Sequence, residues 1–226
     1  MNDHSISVDQ ARYATSIVAK YLDTAIVKSI TKFYNTTLLY NMIFTKEDVS
    51  TSDEHVENFT REFNIYYRAC IVSLIYLLYT RVGLIFEVHK LAEFSANPGK
   101  VHFEGLVNLL RYIRDNNTLG LKYYTDINDA PVTDLLRQDG IKTENHLMYF
   151  SDSSYQYFPD TSRSTGAYII FYQGGPFDHG THDPGPVSQP SAESEYNLSC
   201  TAGMALAHFR LLIYELLKKG QDIVTE

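Results

Sequence analysis

Tryptophan is absent from this chain of 226 residues, and cysteine occurs only twice, at Cys70 and Cys200. Small secreted domains without a large core depend on several disulfides, so the scarcity of cysteine excludes that class. Both cysteines lie in apolar, helix-like stretches of sequence. We therefore expect two reduced, buried thiols and an intracellular protein of the cytoplasm or nucleus.

Long apolar runs are also missing. The longest, residues 69–79, covers eleven positions, whereas a helix that spans a bilayer needs about 20 apolar residues. The first residues do not show the pattern of a secretory signal. The sequence therefore predicts no association with a membrane, and the apolar run is typical of a buried helix.

Positive charge is scarce. The chain has 19 Lys and Arg against 27 Asp and Glu, which gives a formal net charge of −8. A protein that binds nucleic acid by itself usually presents a basic face, because contacts with phosphate supply much of the affinity. The acidic balance predicts weak binding to nucleic acid, or a basic face supplied by another part of a larger assembly.

What the chain does have is apolar periodicity. Hydrophobic residues make up 44% and charged residues 20%, as in globular proteins. The patterns in the first half predict a strand and several helices, at residues 6–8, 13–22, 65–80, 84–94 and 102–115. The segment 65–80 is apolar nearly all round, which predicts a central helix. The polar, acidic segment 46–62 is predicted to be a solvated loop.

Cations gather near the last of these helices, at Lys100, Arg111 and Arg114. They either contact phosphate or form an ordinary solvated helix face. A short strand is predicted at 119–124, and a polar linker at 125–144 follows it and indicates a domain boundary.

The most informative stretch is residues 146–198. An apolar run ends in Asp152, a turn-rich spacer follows at 155–164, and residues 166–173 form a strongly β-prone run. A third extended piece leads to a long helix that opens with Glu193 and Glu195. A strand end and a helix start can bring such carboxylates to one point, as a two-metal phosphodiester-cleaving site requires.

The residues of this stretch resemble a known family. The blocks "FSDSSYQYFPDTSRSTGAYIIFYQGGP" and "SAESEY" are similar, in order, to the ribonuclease H domain of copia-type LTR retrotransposon polyproteins. Upstream, "YRACIVSLIYLLYTR" and "FSANPGKVHFEGLVNLLRYIRDNNTLGLKYY" resemble the reverse transcriptase tail and connection. The resemblance implies an α+β fold. It assigns residues 1–128 to a helical thumb or connection remnant and residues 129–226 to a partial ribonuclease H-like sheet with its first long helix.

The resemblance also implies a site. Asp152 occupies the position of the family's first-strand metal ligand, and Glu195 matches the catalytic glutamate of the first helix, with Glu193 as the alternative. The parent enzyme is an endonuclease that uses Mg²⁺ to hydrolyse the RNA strand of an RNA–DNA hybrid. Asp152 read by itself is also an ordinary turn acid after a strand.

This sequence departs from the family in one serious way. The chain ends soon after the helix that carries Glu195, where the family continues with further catalytic carboxylates. We therefore expect an incomplete active site, weak Mg²⁺ binding and no useful hybrid cleavage. The competing hypothesis is a non-catalytic relic or an adapted interaction module.

Two further expectations concern the second half. The segment "DHGTHD" contains His179 and His182 and could be interpreted as a zinc site, but no second ligand cluster accompanies it. His208 is expected to be partly buried in the long helix. The first strand, at 147–150, is expected to have an open edge, covered either by the N-terminal helical region or by a second copy of the chain.

Overall fold

The computed structural model describes residues 5–22, 44–138, 147–154, 165–182 and 191–224. The predicted spacer at 155–164 and the end of the predicted linker, at 139–144, lie outside these residues. Two compact units make up the fold. We call Val8–Leu121 the helical unit, and Lys122–Glu226 with Met1–Ser7 the sheet unit. The domain boundary predicted from the sequence, after residue 128, lies a few residues beyond the division between the two units at Lys122.

The helical unit follows the predicted apolar periodicity. Its helices are α1 (Ala11–Tyr21), α2 (Asp53–Phe63), α3 (Tyr67–Leu77), α4 (Ile85–Ala92) and α5 (Lys100–Asp115). Strand β1 (Ser5–Asp9) precedes α1 and pairs with β2 (Gly120–Tyr124). The helices predicted at 65–80, 84–94 and 102–115 are confirmed as α3, α4 and α5 with shifted ends, and the short strands are confirmed as β1 and β2. The prediction that 65–80 is a central helix is wrong, because Val72, Ile75 and Tyr76 on one face of α3 are exposed.

Helix α5 supplies the centre of the helical core. Phe103, Leu106, Leu109, Leu110 and Ile113 are all 0% exposed and share one face of the helix. The Phe103 ring stacks on the Phe63 ring of α2 at 5.3 Å and meets the Tyr67 ring of α3 edge-on at 5.1 Å. Each fully buried side chain of this size stabilises the fold by about 1.5–3 kcal/mol.

A buried histidine fixes the start of α5. The His102 Nδ1 atom accepts a hydrogen bond from the Gly99 backbone N–H at 2.9 Å, and its ring stacks on Phe94 with 4.1 Å between centroids. Burial lowers the pKa of His102 to about 4. A side chain at Gly99 would place its Cβ 1.8 Å from the Asp48 carbonyl oxygen, so the close approach of the two backbones requires glycine there.

The prediction of a solvated loop at 46–62 is wrong for most of its length, because α2 occupies Asp53–Phe63. The Ser52 side chain accepts a hydrogen bond from the His55 backbone N–H and caps the helix, and Asp53 in the first turn suits the helix dipole. Phe59 and Phe63 pack against the core from one face. Two aromatic residues among many charges therefore pack a helix that composition alone presents as a loop.

The sheet unit contains an antiparallel meander and two helices. Strands β3 (Leu147–Ser154), β4 (Thr165–Tyr172) and β5 (Gly175–His182) lie in that order in one sheet, between α6 (Pro131–Gln138) and α7 (Ser191–Val224) in sequence. The β4–β5 loop has positive φ at both Gln173 and Gly174, as a two-residue hairpin turn requires. Residues 127–138 of the predicted linker form a 3-10 turn and α6.

Helix α7 packs on one face of this sheet. Leu198 is 1% exposed, and a Cβ added at Gly166 of β4 would lie 2.9 Å from a Leu198 methyl group. Further along, the Phe209 ring meets the Phe177 ring of β5 edge-on at 5.0 Å. A β-bulge opposite Ile170 and Phe171 inserts Phe177 as an extra residue and lets it reach the helix.

Two expectations about α7 are wrong. Cys200 and His208 are both exposed, because α7 turns only one narrow stripe towards the sheet. Cys70 on α3 is buried as expected, at 0% exposure. Within the described residues one stretch, Glu195–Lys218, has the length and the mean hydropathy, 1.2, of a membrane-spanning helix. Core helices of soluble proteins have the same properties, so this is weak evidence for a membrane.

Candidate active site

Asp152 lies near the end of β3, opposite Ala167 of β4, and is exposed. The register is regular from Leu147 to Ser154, so successive side chains alternate between the two faces of the sheet. Ser151 and Asp152 therefore point to opposite faces.

The position of α7 identifies these faces. The Ser151 Oγ and the Ser199 Oγ of α7 are 3.5 Å apart, and Gly166, which contacts Leu198, pairs with Ser153 on the same face as Ser151. Helix α7 thus covers the Ser151 side of β3. Asp152 lies on the other side.

Glu195 lies one turn before Ser199 on α7 and is exposed. Glu193 is in the first turn of the same helix, and its side chain lies outside the described residues. The structure therefore brings the start of α7 close to β3, as the sequence predicts, but the register separates the Asp152 side chain from the helix. Joint metal binding by Asp152 and Glu195 stays a prediction.

The carboxylates in place do not fit a two-metal centre. Mg²⁺ demands six oxygen ligands in near-octahedral geometry and is held firmly only when several protein oxygens are fixed. Among the described residues, no group of three or more Asp, Glu, His or Cys side chains could hold a metal ion. Asp152 lies on the face of β3 that α7 does not cover, so few carboxylate oxygens of the described residues converge on one point.

The aspartate of the histidine-rich segment, Asp178, forms a hydrogen bond within the sheet. Asp178 accepts a hydrogen bond from the Tyr168 hydroxyl at 3.4 Å. Burial, and then the nearby Asp178 carboxylate, raise the pKa of Tyr168. The pair joins β4 to β5, and the sequence analysis did not foresee it. The sequence signal for this pair is weak. Tyr168 and Asp178 come together across the β4–β5 hairpin only because the β-bulge shifts the pairing of the two strands by one residue.

Comparisons with known proteins relate the chain to transposons. It is 26% identical over 134 residues to the secreted RxLR effector protein 161 of Plasmopara viticola, covering 59% of this chain and 83% of the effector. It is 31% identical over 93 residues to the retrovirus-related Pol polyprotein from transposon RE2 of Arabidopsis thaliana, covering 37% of this chain and 6% of the polyprotein.

A third relative is the putative transposon Ty5-1 protein of Saccharomyces cerevisiae. The identity is 24% over 148 residues, which covers 65% of this chain and 41% of the relative. No family model matches the chain, and no solved structure matches it. The partial similarities to retrotransposon proteins support a transposon-derived origin.

Proposed function

We propose that this chain is a reverse transcriptase and ribonuclease H-like remnant of a copia-type retrotransposon polyprotein, and that it does not cleave RNA–DNA hybrids by itself. The ordered sequence blocks and the similarity to a Pol polyprotein over 6% of its length support the first part. An α+β arrangement of helices, meander and long helix is consistent with it. We also propose that the protein is intracellular and binds nucleic acid weakly.

One observation carries the second part. Asp152 lies on the face of β3 that α7 does not cover, which supports the proposal that the Asp152 and Glu195 carboxylates do not converge. A hydrolytic site of this type needs two ions clamped about 4 Å apart by shared carboxylates. Among the described residues, no group of three or more Asp, Glu, His or Cys side chains could form that clamp.

The test is a cleavage assay on a labelled RNA–DNA hybrid with excess Mg²⁺. We expect no cleavage above background, and no saturable Mg²⁺ binding by calorimetry in the low millimolar range. Asp152→Asn and Glu195→Gln should then change nothing. The matched control is Asp129→Asn, which alters an exposed acid of the same unit. Cleavage that Asp152→Asn abolishes and Asp129→Asn retains would overturn the proposal.

A second candidate function is a protein-interaction module, favoured by the edge of the sheet. In the described part of the chain β3 pairs with β4 alone, and Tyr149 and Phe150 are 37% and 41% exposed. The strand carries no Lys, Arg or Pro, the residues that usually block edge pairing. A second copy of β3 presents the same unpaired backbone groups, so we propose self-association through this edge.

Hydrogen exchange and light scattering test this second function. We expect slow exchange at the β3 amides and a mass that rises with concentration. Phe150→Lys should abolish both effects, whereas Tyr66→Lys, an equally drastic change at an exposed aromatic residue of the helical unit, should leave them intact. Fast exchange in a clean monomer would refute self-association.

A further inference from the structure

Helix α3 carries an exposed apolar stripe that its composition does not predict. Val72 is 61% exposed, Ile75 44%, Tyr76 55% and Tyr79 74%. Arg68, Val72, Ile75 and Tyr76 fall within about one third of the helix circumference at 3.6 residues per turn, and Tyr79 lies in the turn that follows the helix. The opposite face, with Cys70, Leu74 and Leu77, is fully buried. A helix that is apolar on both faces is expected to be covered on both, so the stripe calls for a partner.

The stripe is held in place by α1. The Tyr13 ring meets the Tyr76 ring edge-on at 5.0 Å, and Tyr76 meets Tyr79 in the same way at 5.8 Å. The Tyr13 hydroxyl donates to the Ser73 carbonyl at 3.2 Å, and the Gln10 side-chain amide donates to the Tyr76 carbonyl at 3.4 Å. Because these rings are already ordered, binding to them costs little conformational entropy.

The charge of this surface is opposite to that of the chain. Helices α1 and α3 contain no Asp or Glu but carry Arg12, Lys20 and Arg68, all exposed, in a protein of net charge −8. Lys20 lies over the Tyr21 ring. Within the described residues, Arg12 and Arg68 form no ion pair. The cations are therefore available to a ligand.

We propose that the α1–α3 surface docks an acidic amphipathic helix of a partner protein. The partner's apolar stripe would cover Val72, Ile75 and Tyr79, and its flanking carboxylates would pair with Arg68 and Arg12, in the helix-on-surface mode of recognition. We favour a protein over a nucleic acid because Val72 and Ile75, in the middle of the stripe, are aliphatic and offer no ring on which a base could stack. Exposed Tyr and Arg around an apolar centre are also the residues enriched at protein interfaces.

The test uses the full chain and a synthetic probe. The probe is a fluorescein-labelled helical peptide with leucine along one face and glutamate on its flanks, read by fluorescence anisotropy. The same peptide with lysine in place of glutamate, and a single-stranded oligonucleotide, are measured in parallel. We expect the glutamate peptide to bind, the other two not to bind, and the affinity to fall as salt is added.

Paired variants locate the surface. Arg68→Glu should weaken binding about fivefold, and Val72→Ser about tenfold. The matched controls on α7, Arg210→Glu and Leu211→Ser, change an exposed arginine and an exposed aliphatic residue, as Arg68→Glu and Val72→Ser do, and should leave binding unchanged. Arg68→Glu is decisive even if an apolar variant unfolds, since its side chain is exposed and circular dichroism will report an intact helical fold.

Three results would overturn the proposal: no binding of the glutamate peptide, equal losses in the α7 controls, or binding of the oligonucleotide in its place. Asp152 and Glu195 take no part in this surface. Failure of the docking test and failure of the nuclease assay are therefore independent.

Discussion

The helical unit and the sheet unit differ in how much of their apolar surface they enclose. In the helical unit, residues from every helix meet in one buried cluster around Phe103 and Leu106. In the sheet unit, Ile170, Leu198 and Ala202 are buried, but only 6% of the apolar stretch of α7 is. The first unit has a core of its own. The second presents, in its described residues, an apolar helix that is mostly exposed and a strand that pairs on one side only.

The contrast between the units predicts the largest change in the free energy of unfolding for a variant that creates a cavity in the helical core. Leu106→Ala removes a side chain with 0% exposure and should lower the free energy of unfolding by about 2–5 kcal/mol. Leu211→Ala on α7, at 67% exposure, should change it by less than about 0.5 kcal/mol. Urea unfolding followed by circular dichroism measures both. Similar losses in the two variants would mean that α7 is covered in solution.

A pH effect should come from the same core. The pKa of His102 falls from 6.5 to about 4 on folding because burial disfavours the charged ring, against a smaller opposing pull from Asp48. The unfolded chain then binds the proton more readily, so stability is complete above pH 6.5 and is lost as the pH falls towards 4, by up to about 3 kcal/mol. Urea midpoints measured across this range should show the loss.

His102→Gln should flatten that pH profile. His208→Gln, at the exposed histidine of α7, should not alter it. An unchanged slope in the His102→Gln protein would show that another group is responsible.

A steric test compares two glycines of the sheet unit. A Cβ at Gly175 would lie 2.4 Å from the Lys122 carbonyl oxygen, so Gly175→Ala should cost about 1–3 kcal/mol through backbone displacement. Gly203 on α7 has no atom within 4 Å of such a Cβ. Gly203→Ala should therefore raise stability by about 0.5–1 kcal/mol through helix propensity. Thermal unfolding of the two variants tests both expectations. A loss of stability in Gly203→Ala would indicate a partner packed on α7.

The smallest effect concerns the two thiols. Burial raises the pKa of Cys70 to about 12, so the reactive thiolate is scarce and inaccessible. Cys200 is exposed. In the folded protein a thiol reagent should label one cysteine quickly, and Cys200→Ser should remove that fast phase while Cys70→Ser leaves it. Fast labelling of Cys70 would reveal an opening of the helical core.

Much of the helical unit was predictable, because α3 and α5 repeat their apolar residues over several turns. Helix α2 was not predicted, since its apolar residues are outnumbered by charges. The Ser52 cap followed by Asp53 and Glu54 was the signal that could have identified it. The exposure of one face of α3 could not be inferred, because composition indicates that a helix is apolar but not which neighbours it has.

The sequence predicted which elements carry the candidate site residues, but not which face of the sheet their side chains occupy. The approach of α7 to β3 followed from the order of the blocks. Which face Asp152 occupies depends on the strand register, and a shift of one residue would move its side chain to the other face. Nothing in "FSDSSY" specifies that register, which is set by Gly166 and Ile170 of β4 packing beneath the helix.

The bulge in β5 determines where this chain can gain or lose a residue. Deleting Phe177 would make the ladder regular, with Asp178 still opposite Ile170 and Pro176 still opposite Phe171, and would remove its two aromatic contacts, with Tyr172 and Phe209. A deletion inside β4 would shift half of that strand by one residue. The side chains of that half would then change faces relative to both β3 and β5. Length variation among natural relatives should therefore concentrate at position 177 and be absent from the strand beside it.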